Sequence, residues 1–265
     1  MISKIQTAII KKDIGGITAN KRMLTALIIV PIVMAVMLPA IFIFTILFTP
    51  VDSPDMQQML QMLDFSKMKK NDNVQKMVLD LILNYVMPLF FVMIPIMASS
   101  VMAASSFVGE KEKSTLETLL YCPMPLKDIF SAKIFASFLL SMAVSVFSFI
   151  IMMITVQVLL FIFMGSMVLP NINWLIMMLL VSPAAALIAI NLIVRSSAKA
   201  QSFEESQQTS VFLVLPVILL VMGQFTGIMM ISALLFFFIG AALALIAVVM
   251  FKGAFGKFNY EALLR

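Results

Sequence analysis

The chain has 265 residues, of which 62% are hydrophobic and 12% charged, with a mean hydropathy of +1.10. Soluble domains hold about 45–50% apolar and about 25% charged residues, so this composition excludes a soluble domain and points to an integral membrane protein. The formal charge of +5 reads as a topology signal, because no basic domain exists to hold a duplex, and no nucleic-acid partner is expected.

Residues 1–22 set Ile2, Ile5 and Ile9 at helical spacing beside Lys4, Lys11 and Lys12. That pattern predicts a short helix in the membrane interface, with a turn into the bilayer at Gly15-Gly16. An ordinary basic topology anchor is the alternative. Four stretches then lack Asp, Glu, Lys and Arg altogether: 23–51, 81–109, 134–194 and 206–251. A spanning helix needs about 20 apolar residues at about 1.5 Å each. The first two stretches hold one span apiece. The third holds two, broken around Gly165–Asn173 where Pro170 and Asn171 fall, and the fourth holds two with a turn near Gly223–Gly227. The expectation is an all-α integral membrane fold, a single transmembrane domain over 1–265, with six spans at about 23–49, 78–107, 132–164, 172–194, 207–224 and 229–251. The first run is too long for a signal-peptide core and has no small-residue cleavage site, so it is expected to remain as a span.

The basic residues orient these spans. With the N-terminus inside, the inner segments carry five Lys/Arg in 1–22, four in 110–133, two in 195–205 and three in 252–265. The outer segment 52–80 carries four, so fourteen face four, and both termini are expected in the cytoplasm. Cys122 is alone and on the inner side, which excludes a disulfide framework and predicts a reduced thiol.

The outer segment 52–77 carries a helix signal of its own. Ser53-Pro54 offers a cap and first-turn proline, Met56, Met59, Leu60 and Leu63 form an apolar stripe, and Lys67–Asn73 ends it. Such a helix reads as an exit lid or as a cover for neighbouring helix ends. Pro31, Pro39, Pro88, Pro95, Pro183 and Pro216 fall inside predicted spans and predict kinks; Pro88 and Pro95 share a face. The 25 methionines suit repacking around varied apolar cargo, and equally suit gap-filling.

Absent residues exclude several chemistries. The chain has no histidine, no H-E-x-x-H and no cysteine cluster, so no metal site is expected. No ionisable side chain is predicted within a membrane core, as an ion-coupled pump would need. No phosphate-cradling G-x-x-x-x-G-K-[ST] occurs, and Gly253–Lys257 has the wrong spacing, so the chain is not expected to hydrolyse ATP or to be an enzyme. If the protein does work, another subunit supplies the energy.

Between the second and third spans lies a charged island, 109–130. Ser114-Thr-Leu-Glu117 is a capping-box pattern; Leu116, Leu119 and Leu120 give the following helix an apolar side, Pro123 ends it, and Pro125 opens the next helix through Lys127 and Asp128. With Glu110, Glu112 and Glu117 around it, this short amphipathic helix suits a groove on a soluble partner. The alternative is a charged decoration of a membrane crossing.

Gly109-Glu-Lys-Glu-Lys-Ser-Thr-Leu-Glu-Thr-Leu-Leu120, with Pro123 and Lys133, closely resembles the signature between spans two and three of type-2 ABC transporter permeases. Ser197-Ala-Lys-Ala-Gln-Ser-Phe-Glu-Glu-Ser-Gln-Gln208 and the tail Phe258-Asn-Tyr-Glu-Ala-Leu-Leu264 resemble the same family. Gly223-Gln-Phe-Thr-Gly227 departs from it, because many members have a longer connection there with short re-entrant helices.

The resemblance implies the permease subunit of an ATP-driven exporter in a prokaryotic plasma membrane, paired with a second copy or a sister permease and with two ABC ATPase subunits. ATP and Mg would bind the partner ATPase; this chain would bind no cofactor. Its island would be the cytoplasmic coupling helix, with Glu110, Glu112, Thr115, Leu116, Glu117 and Leu120 as candidate contacts. Met- and Phe-rich spans suit an apolar or amphipathic cargo such as a peptide, a lipid-like molecule or a drug. Asn84, Gln157, Asn191 and Gln224 would line its pathway, or else tie helices together. The competing readings are a stand-alone secondary carrier and a non-transporting membrane anchor or immunity-type protein.

Overall fold

A computed structural model describes residues 4–50, 53, 74–112, 125–197, 200, 202–225 and 233–257. Helix α1 covers Lys4–Ala19 and α2 covers Lys21–Phe48. The long α3 runs over Val74–Glu112, α4 over Leu126–Met164 and α5 over Ile172–Ser197. Then follow α6 (Phe203–Gln208), α7 (Val211–Phe225) and α8 (Ala233–Lys257). No strand occurs among the described residues, and six helices there are long and apolar enough to cross a membrane. Residues 54–73 of the expected outer segment, the island from 113 to 124 with Cys122, the connection 226–232 and the tail 258–265 lie outside the described residues, and 74–77 belong to α3.

One expectation is corrected at the start. The chain does not turn at Gly15-Gly16; α1 continues through both glycines to Ala19, and the break falls at Asn20. Packing decides this. Ile9, Asp13 and Ile17 recur every fourth residue and are buried, so the face that docks on the bundle runs past the glycines. Asn20 Oδ1 then accepts the Met23 N–H at 3.4 Å and opens α2.

The spans divide into a centre and a periphery. In their most apolar stretches, 72% of α3 and 61% of α5 is buried within the protein, against 11% of the span formed by α6 and α7 and 17% of α8. The two central helices pack on each other; α4 lies against α3 and α2, and α8 against α5. Both helices bury many small residues, among them Ala98, Ser99, Ser100, Ala103 and Ala104 of α3, and Ala185, Ala186 and Ala189 of α5. Small side chains let backbones approach, which is how helices gain packing energy where lipid offers no hydrophobic drive. On α2, Leu27, Pro31, Ala35, Pro39 and Ile43 form one buried stripe, while Ile29, Val33, Met37 and Ile41 point outward as a lipid-facing span requires.

Both central helices contain one π-helical turn, Ile82–Val86 in α3 and Met177–Val181 in α5. Each is followed two residues later by a proline, Pro88 and Pro183. Proline has no N–H to return to the preceding turn, and the wider turn absorbs the defect. Gly240 of α8 sits against the second of these turns: a β-carbon there would lie 2.9 Å from Leu180 Cδ2 and 3.0 Å from Val181 Cγ2. Between the third and fourth spans, Gly165 (φ 60°) caps α4 in the left-handed region and Asn171 caps α5 through its side chain, in line with the break expected at Pro170 and Asn171.

Candidate functional site at the charged end of the bundle

The end of α3, the start of α4 and the N-terminal α1 meet around one lysine. Lys133 stands two turns into α4 and is 2% exposed. A lysine is almost never buried so completely without partners, and this one has several. Its Nζ donates to the Ser106 carbonyl at 2.5 Å, lies 2.7 Å from Glu110 Oε2 and 3.8 Å from Asp13 Oδ2, and sits 5.4 Å from the centre of the Phe107 ring. Lys12 Nζ donates to Glu110 Oε1 at 2.8 Å, and Ser106 Oγ donates to Asp13 Oδ2 at 2.5 Å. Two acids and two lysines are thus interleaved, with three helices contributing to one ion network.

Burial pushes the Asp13 carboxyl above its ordinary range, against the pull of Lys133 and of the Ser106 hydroxyl. The network also borders a crevice of 190 Å³ between α1 and α3, lined by Asp13, Gly16, Ser105, Ser106 and Glu110 among others. Lys133 is thus a buried charge at this end of the bundle, held there because carboxylates on two other helices converge on it.

The candidate docking residues separate here. Glu110 is engaged by Lys133 and Lys12, its side chain 10% exposed, so it holds the root of the island and offers no free docking face. Glu112 is exposed and accepts the Phe203 N–H at 2.8 Å, which places a carboxylate at the N-terminus of α6. Ser202 Oγ caps the same helix by accepting from Glu205 N–H at 3.1 Å, and Lys111 donates to the Ala200 carbonyl at 3.4 Å. The Gln/Glu-rich connection therefore docks directly on the root of the island. Thr115, Leu116, Glu117 and Leu120 lie outside the described residues.

At the opposite end the ties are made mainly by neutral groups. Pro88 leaves the carbonyls of Leu83 and Asn84 without its N–H, and Trp174 Nε1 donates to the first and Asn173 Nδ2 to the second, each at 3.0 Å. Asn84 Oδ1 accepts the Asn171 N–H at 2.8 Å, and Asn84 Nδ2 donates to Asp80 at 3.0 Å. Gln157 Nε2 donates to the Val168 carbonyl at 2.6 Å. Trp174 also packs between Phe91 and Phe149, with ring centres 5.6 and 5.3 Å away. Of the four polar residues expected on a pathway, Asn84 and Gln157 are thus employed as ties. Asn191, fully buried, donates within its own helix to Leu187 O at 2.8 Å; its Oδ1 and Gln224 Oε1 find no hydrogen-bond partner among the described residues.

Sequence reasoning does not bring Asp13, Lys12, Ser106 and Lys133 together. A signal exists: Asp13 falls on the stripe of Ile9 and Ile17, and Lys133 is the last charge before a long uncharged run. No group of His, Cys, Asp and Glu among the described residues has the makings of a metal site. A family model described as ABC-2 family transporter protein matches residues 7–250, which takes in the ion network, both central helices and most of α8. No curated protein and no solved structure matches the chain. With nearly its whole length matched, the chain belongs to the ABC-2 transporter family.

Proposed function

We propose that the chain is the membrane-spanning permease subunit of an ATP-driven exporter, coupled at the charged end of its bundle to a separate ATPase. The observation that carries this reading is the Lys133–Glu110–Asp13 network, because it binds together both roots of the island and the N-terminal helix. A push on residues 113–124 would reach α1, α3 and α4 as one body rather than flexing a loop. Coupling requires the docking surface to bind differently in two states, and a rigid root converts that difference into helix movement.

In this reading the network end faces the cytoplasm, as the fourteen-to-four distribution of Lys/Arg favours, with both termini on that side of a prokaryotic plasma membrane. Helix α1 would ride the inner leaflet. ATP and Mg would bind the partner ATPase, since this sequence lacks a phosphate-cradling loop. A second copy or a sister permease would complete the pathway. The cargo class that fits spans without charge is apolar or amphipathic: a peptide, a lipid-like molecule or a drug. Thr115, Leu116, Glu117 and Leu120 would make the contact, with Glu112 at its edge.

The test is a mild-detergent pull-down of tagged protein from its native membrane, followed by mass spectrometry. Stoichiometric recovery of a soluble subunit bearing a phosphate-binding ATPase loop is expected, and Leu116→Ser with Glu117→Arg should abolish it while the permease still inserts. A clean preparation without ATPase, reproduced after cross-linking, would overturn the reading in favour of a stand-alone carrier or an anchor.

A further inference from the structure

A second cavity lies on the flank of the same end, and none of its lining residues belongs to the ion network. It is a groove of 380 Å³ between α1, α4, α5 and α8, whose walls include Gln6, Ser131, Phe135, Phe138, Leu187 and Phe251. Its polarity is graded. Gln6 and Ser131 stand near the end of the bundle, whereas Phe138 lies about 10 Å further along α4 at the helical rise, and Leu187 lies about 15 Å before the end of α5. The mouth opens among lipid-facing side chains: Phe135 is 43% exposed and Leu139, one turn on, 45%.

Two lysines stand near the lining residues in the chain: Lys127 is exposed one turn before Ser131 on the same face of α4, and exposed Lys252 follows Phe251 on α8. Asp128 is the acid in the same turn of α4; Asp13 and Glu110 are held by Lys133 and Lys12. An apolar trough with one cation a turn beyond its polar end and another next to Phe251 matches a ligand with an apolar tail and an anionic head. We infer that this groove binds one anionic membrane phospholipid. An acyl chain lies along Phe135, Phe138, Leu187 and Phe251, and the phosphate sits level with Gln6 and Ser131, facing Lys127 and Lys252. The inference is independent of the transport reading.

The test uses the full chain in mild detergent, titrated with phosphatidylglycerol and with phosphatidylcholine of identical acyl chains, and read by native mass spectrometry. One retained phosphatidylglycerol, favoured roughly tenfold over phosphatidylcholine, is expected from two lysines near the headgroup. Lys127→Gln with Lys252→Gln should bring that preference close to unity while weak retention of both lipids persists. Leu187→Trp or Ser131→Trp should remove both lipids by filling the groove. Phosphatidylglycerol should also raise the wild-type Tm, because it binds the folded state, and should not raise that of either tryptophan variant. The tryptophan variant that keeps the lipid-free Tm of the wild type is the decisive one. Equal retention of the two lipids by the wild type would overturn the inference. So would an undiminished preference without the lysines, or an adduct that survives both tryptophans.

Discussion

The two ends of the bundle solve the same problem, tying helices together where the chain leaves the membrane, with different chemistry. One end uses ions: Lys133 of α4 is shared by Glu110 of α3 and Asp13 of α1. The other uses neutral groups, as Asn84, Asn173 and Trp174 close the gaps that a proline opens in α3. Amide and indole bonds to backbone carbonyls are directional and insensitive to pH and salt. Ion pairs are less directional, respond to both, and lose most when one partner is removed. A neutral end suits a fixed pivot, and a charged end suits the site where an external partner exerts force.

Breaking the pairs should rank the two ends. Lys133→Met strands two buried carboxylates, and about 3–5 kcal/mol of destabilisation is expected, read as a large fall in the unfolding midpoint in detergent. Adding Glu110→Gln and Asp13→Asn to Lys133→Met should recover a good part of it, since the stranded charges go with them. At the neutral end, Asn84→Leu removes the acceptor for Asn171 N–H and should cost about 1–3 kcal/mol, equally at all pH values between 5 and 8, taken as about the range where carboxylates stay ionised.

Titration sharpens the contrast further. The Asp13 carboxyl is raised in the folded protein, so folded protein holds this proton to higher pH than unfolded protein does. Its contribution to stability is therefore greatest below the ordinary carboxylate value and declines as pH rises through the raised one. The midpoint of the wild type relative to Asp13→Asn should fall as pH rises across that window; parallel profiles would contradict the assignment. The smallest effect belongs to Lys12, whose side chain is 58% exposed. Lys12→Ala should cost at most about 1 kcal/mol and less in high salt, measured in the same unfolding assay.

How far these features are legible in the sequence follows from how local their causes are. The break between α4 and α5 is written in Gly165, Pro170 and Asn171, each of which acts on its own backbone. Pro88 and Pro183 announce a defect, but not that it becomes a π turn. That outcome depends, in α3, on Trp174 and Asn173 arriving from α5 to take the freed carbonyls; Pro31 and Pro39 lie within α2 with no such turn. Gly15-Gly16 has the local freedom to turn, and the docking of Ile17 overrules it. Glu110 reads in the sequence as a docking acid within the signature segment. Only the tertiary approach of Lys133, and of Lys12 from the far N-terminal helix, turns it inward.

If an ATPase drives this bundle, its force enters at the charged end while the neutral end stays fixed. Hydrogen–deuterium exchange on the purified permease–ATPase complex, with and without ATP, tests this most directly. The prediction is that nucleotide alters protection around residues 9–17, 105–112 and 126–135 and leaves 82–91 and 169–176 unchanged. A response at the Asn84–Trp174 end with none around Lys133 would contradict it.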